Sequence, residues 1–166
     1  MTPANRAIHD LEALLDQLIA EHRKLLGLVQ QHASAMRSLD LRAMDSIARQ
    51  QDASRMRIAG IENRRKSLIQ QIMRQHRLAV EPTLSQVAQL YPLSAAALLG
   101  KRDVLRTLAT DVALRANVAG KLASTVLGHL NTAVRAIAGA VQQAGVYTRS
   151  GLPKVSGRIG AMEAVG

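Results

Sequence analysis

Five histidines, His9, His22, His32, His76 and His129, are the side chains best suited to binding a metal or moving a proton near neutral pH. No two lie three or four residues apart, so no helical pair among them could hold one ion. Neither His-Glu-x-x-His nor Glu-x-x-His occurs, which removes the common helical metalloprotease and di-iron patterns. The chain has no cysteine, so disulfides and thiolate zinc sites are excluded. A glycine-rich phosphate loop and a Gly-x-Ser-x-Gly elbow are both missing, and no serine has an evident base partner. These patterns predict a protein that is not an enzyme and uses no cofactor, metal or small-molecule substrate.

What remains is binding through charge or through apolar surface. The chain carries 22 Lys and Arg against 12 Asp and Glu, net +10, and the excess is uneven. Residues 1–50 balance at six against six, residues 51–100 hold seven against three, and residues 101–166 hold nine against three. A basic back end suits an acidic protein, an anionic surface or nucleic acid, although a solvated arginine-rich surface is the plainer reading. Arg55, Arg57, Arg64, Lys66 and Arg74 fall on the outer face of the second expected helix. Phe and Trp are absent, so stacking on single strands has almost no platform, and no helix-turn-helix pattern is visible. Nucleic acid is therefore disfavoured as a partner. A basic helical module binding nucleic acid or another anionic surface stays as the alternative function, and a self-associating coiled coil as a third. Phosphate binding would collapse steeply with salt where apolar binding would not, and size-exclusion behaviour tests self-association.

The apolar pattern is helical throughout. Ile8, Leu11, Leu15, Leu18, His22, Leu25, Val29, His32 and Met36 recur at alternating steps of three and four, an unbroken heptad seam. Leu14, Ile19, Leu26 and Leu28 widen it, as expected for a helix that touches more than one partner. His22 and His32 on that seam suit either a pH-sensitive layer or, more simply, half-buried histidines bonded across a bundle. Thr2-Pro3 starts the helix, which ends near Arg37, and Asp40 caps the next after a short link that makes the two antiparallel neighbours. A second helix is expected from about Leu41 to Arg77 on the seam Met44, Ile47, Gln51, Ser54, Ile58, Ile61, Arg65, Leu68 and Ile72, less deeply buried because three positions are polar. Pro82 ends it, Thr83 to Leu90 forms a short helix, and Tyr91-Pro92 stops that.

From Ser94 to about Ala144 no proline intervenes, enough for a third long helix of roughly 75 Å. Its seam runs Leu98, Leu105, Leu108, Val112, Ala119, Leu122 and Val126, then shifts phase through Leu130, Val134, Ile137 and Val141. Gly100, Gly120, Gly128 and Gly139 are points where it could bend or break. Leu114, Val118, Leu127, Leu130, Val134, Ile137 and Val141 exceed what one seam needs, so Leu127, Leu130, Val134, Ile137 and Val141 are the candidate surface for a partner. No stretch is long and apolar enough to cross a membrane, and the start lacks a signal-peptide profile, so a soluble cytoplasmic protein is expected. The expected architecture is all-α: an antiparallel bundle of three long helices with a short connecting helix over residues 1–146, then a flexible, glycine-rich tail over 147–166.

Several segments, in order, resemble the FlgN-type flagellar type III export chaperones. They are the opening LEALLDQLIAEHRKLLGLV, the SLDLRAM join with Asp40 and Leu41, and IENRRKSLI with Glu62, Arg65 and Leu68. LRANVAGKLAS follows, with Asn117 and Leu122, and then the run from Tyr147 to Gly151. The resemblance implies a cytoplasmic helical chaperone that holds flagellar hook-associated (hook–filament junction) proteins by their C-terminal helical segments and hands them to a membrane component of the export gate. It also implies that Tyr147 docks at that gate. The chain departs from the family in its strong positive charge and in having Gln51-Asp52 where a Glu-Lys pair is frequent.

The tail's composition carries a direct expectation. Deleting residues 152–166 should leave the melting temperature unchanged, and a fall on calorimetry would show that the tail docks.

Overall fold

In a computed structural model, the backbone of residues 3–144 and the side chains of residues 6–139 are described. Four helices follow in order: α1 (Pro3–Arg37), α2 (Leu41–Gln75), α3 (Leu84–Leu90) and α4 (Ala95–Ala144). There is no strand among the described residues. The chain divides into two compact units, Met1–Ala123 and Ser124–Gly166. Thr2 and the expected tail, 147–166, lie outside the described residues.

The first unit is an up-down-up bundle in which α1 is the helix the others pack on. Its seam residues Ile8, Leu11, Leu15, Leu18, Leu25, Val29 and Met36 are all buried, as are Leu14, Ile19 and Leu28 from the widening set. Two apolar clusters result. One joins α1 from Ala7 to Leu18 with Ile61, Ile69 and Ile72 of α2, Val87 and Ala88 of α3, and Leu98 of α4. The other joins Leu25, Val29, Ala33 and Met36 of α1 with Ala119 of α4, flanked by Met44 and Ile58 of α2 and by Val112 and Leu122 of α4. The pairings make α2 antiparallel to α1 and this part of α4 parallel to it. Lys101 supports that arrangement, donating to Asp16 Oδ2 at 2.6 Å and to the Glu12 carbonyl at 3.2 Å.

A polar layer separates the two clusters. Ser54, fully buried, donates to Glu21 Oε2 at 3.0 Å, and Arg57 Nε donates to Glu21 Oε1 at 3.0 Å. One turn away, buried Gln51 donates to the Leu28 carbonyl at 3.1 Å. The polar seam positions Gln51 and Ser54 are thus buried, because α1 supplies an acceptor to each. Sliding α2 by one turn would strand these donors in an apolar interface, so the layer holds the α1–α2 register. His22, beside Glu21, is half-buried, and its Nδ1 donates to the Leu18 carbonyl of its own helix at 2.8 Å, not across the bundle.

α1 ends at Arg37 as expected and α2 at Gln75, two residues short of the expected Arg77, and both close without a proline or glycine. α1 closes with the Leu39 N–H on Met36 O and the Asp40 N–H on Ala35 O, and α2 with the Arg77 N–H on Arg74 O and the Leu78 N–H on Met73 O. Both are Schellman closures, with Leu39 (φ 54°) and Arg77 (φ 52°) in the left-handed position usually held by glycine. α2 therefore stops at Gln75, before reaching Pro82. Asp40 serves twice, as the residue that closes α1 and as the cap of α2, where its side chain accepts from the Ala43 N–H at 3.0 Å. Thr83 and Gln86 form a reciprocal capping box at the start of α3. α4 is uninterrupted from Ala95 to Ala144, so none of its glycines breaks it.

Three outcomes follow. Leu18→Asp or Leu25→Asp should unfold the bundle, since each buries an unpaired charge at a cost of several kcal/mol; retention of full helical circular dichroism and melting point would contradict the packing described. Gly120→Ala, where an added Cβ meets nothing within 4 Å, should stabilise by about 0.5–1 kcal/mol in chemical denaturation. The last concerns Glu21. Desolvation pushes its carboxyl up, but hydrogen bonds from Arg57 and Ser54, with the charges of Arg57 and Lys24, outweigh that and hold it below the ordinary value. A depressed folded-state pKa stabilises above the unfolded value and ceases to do so as pH falls through the folded one. The melting-temperature gap between the wild type and Glu21→Gln should therefore be present at pH 7 and shrink in acid.

Candidate functional site

The residues expected to bind a partner lie on α4. Leu127, Leu130, Val134 and Ile137 are 65, 46, 62 and 65% exposed, unusually open for large aliphatic side chains. Their spacing of three, four and three places them on one helical face. Val141 continues the spacing within α4, but its side chain is outside the described residues, and so is Tyr147 altogether. Ser124, Asn131, Ala133 and Ala138 flank the stripe, so its borders are small and uncharged. Such a face offers shape and apolar area to a second helix and has no group for bond-making chemistry.

Leu114 and Val118, one turn apart on α4, are also exposed, at 62 and 56%. They edge a groove of about 560 Å³ between α1 and α4, lined on the α1 side by Val29, Gln30, Ala33, Ser34 and Arg37 and on the α4 side by Asp111 and Arg115 as well. The sequence signals both leucine and valine as surplus to the seam, but the groove needs the pairing of α1 with α4 to be visible.

The basic residues are largely engaged along α2. Arg49 pairs with Asp45, Arg55 with Asp52, Arg57 with Glu21, and Arg65 with Glu62, while Arg64 donates to Gln17. This reduces the outer face of α2 as an anion-binding surface. From Val112 to Met162, by contrast, the sequence contains no Asp or Glu. Tyr91, the other tyrosine, is half-buried in the connection between α2 and α4, 2.9 Å from His76 Nε2 through its hydroxyl, and burial raises its pKa. Among the described residues no group of His, Asp or Glu could hold a metal ion, and no helix is long and apolar enough to cross a membrane.

Residues 1–154 match the FlgN protein family. The chain belongs to the FlgN family. Its members are chaperones of flagellar export, a family that is in general non-enzymatic. No curated protein and no solved structure matches the chain. Two segments that carried the resemblance have clear structural work: Asp40 caps α2, and Arg65 donates to Glu62 at 2.9 Å near the end of it.

Because the stripe is exposed already, removing it should not harm the fold. Leu130→Asp with Val134→Asp should change the melting temperature of the chain little, within about 0.5 kcal/mol of stability per site. A large drop would show that these residues are covered.

Proposed function

We propose that this chain works in the cytoplasm, holding the C-terminal helical segment of flagellar hook-associated proteins before export and delivering them to a membrane component of the export gate. The observation that carries the reading is the exposed stripe of Leu127, Leu130, Val134 and Ile137 in a member of a flagellar export chaperone family. A secreted subunit awaiting assembly has an amphipathic helix without its partner, and such a helix aggregates unless covered. A heptad stripe is the natural cover for it, with Val141 extending the contact by another turn. Burying about 500 Å² of this surface is worth on the order of 12 kcal/mol before ordering costs, ample for micromolar binding. Tyr147, three residues beyond the end of α4, is assigned the docking step at the gate, on the family resemblance.

The two roles separate experimentally. In pull-downs of hook-associated proteins, the Leu130→Asp, Val134→Asp double variant should lose the client while staying folded. Tyr147→Ala should keep the client yet fail to support export. Normal client binding by the double variant would place the binding surface elsewhere.

A further inference from the structure

The geometry points to the groove between the C-terminal half of α1 and the middle of α4 as a second docking surface, one that takes an amphipathic helix with acidic flanks. It lies wholly within the first compact unit, apart from the Leu127–Val141 stripe, and does not depend on the function proposed for that stripe. Val29 and Ala33 are buried at its α1 side, and Leu114 and Val118 stand open along its α4 side, so water covers apolar surface on a site of about 560 Å³. Beside this groove the core is surrounded by α1, α2 and α4 alone, and a further helix laid in it would complete a four-helix arrangement there.

Charge selects the occupant. α1 has no carboxylate after Glu21, and the link has none before Asp40, while Arg23, Lys24 and Arg37 fall within that span. On α4 the only carboxylate at the groove is Asp111, and none follows it for the rest of the helix. Arg37 and Arg115 face the groove from its two sides, and neither takes part in an ion pair among the described residues. A helix whose apolar face meets Leu114 and Val118 brings its flanking positions to these guanidiniums, where Glu or Asp is favoured and Lys or Arg repelled. A second copy of this chain, net +10, would bring more positive charge to a surface whose one acid is Asp111. Nucleic acid would leave the apolar floor uncovered, and no aromatic lines it for stacking.

The test uses the full chain and two synthetic helical peptides of identical leucine spacing, one with Glu at every flanking position and one with Lys. The Glu peptide should perturb the methyl resonances of Val29, Ala33, Leu114 and Val118. It should bind about tenfold tighter than the Lys peptide at low salt, a ratio that contracts as salt screens the rim. Leu114→Ser with Val118→Ser, at exposed positions and checked by circular dichroism, should abolish those perturbations. Arg37→Glu with Arg115→Glu should reverse the peptide preference, while Leu130→Asp with Val134→Asp should leave both results unchanged. Equal binding of the two peptides, perturbations confined to Leu127–Ile137, or concentration-dependent self-association that Leu114→Ser with Val118→Ser removes would each overturn the assignment.

Discussion

The burial of α1 against α2 and α4 is the constraint on which the first unit depends. Leu11, Leu15, Leu18, Leu25 and Val29 are shielded on both sides, and α1 supplies half or more of the buried residues of each apolar cluster. Two apolar clusters alone would tolerate more than one register. The layer of Glu21, Ser54 and Arg57, with Gln51 one turn away, removes that freedom by matching each buried polar group with a partner on the opposite helix. Apolar area thus supplies the driving force, and a few hydrogen bonds set the alignment.

That alignment has a functional consequence. With α1 fixed between its neighbours, the apolar residues of α4 divide into those the core needs and those it does not. Leu98 and Ala119 are buried, whereas Leu114, Val118, Leu127, Leu130, Val134 and Ile137 remain open. A chaperone of export must show apolar surface without collapsing onto itself or its copies. Here the core does not depend on the exposed residues, and an excess of positive charge opposes association between copies.

The main helices were legible because their periodicity is strong. The seam of α1 persists for four heptads, and the starts of α2 and α3 carry Asp40 and Thr83, side chains that accept from backbone N–H groups. The end of α2 falls within two residues of the expected Arg77, but the way it closes was not legible, because Arg77 occupies a left-handed position with no glycine to signal it. α2 is less deeply buried than α1, as its polar seam positions suggested, but Gln51 and Ser54 are themselves buried because acceptors on α1 await them, a pairing invisible until the two helices are aligned. Glycines in α4 suggested breaks, yet one glycine costs only about 1 kcal/mol in a long helix and need not interrupt it. Of the candidate site, the spare leucines and valines of α4 could be picked from spacing alone. The α1–α4 groove could not, since it belongs to two segments about eighty residues apart in the chain.

The central claim, that the stripe on the last turns of α4 holds an exported flagellar subunit, is most directly tested by hydrogen exchange of the full chain with and without a hook-associated protein. The account predicts that amides of residues 124–144 exchange rapidly in the free protein and become protected in the complex, while those of α2 change little. Protection gained over α2 with none over 124–144 would contradict it.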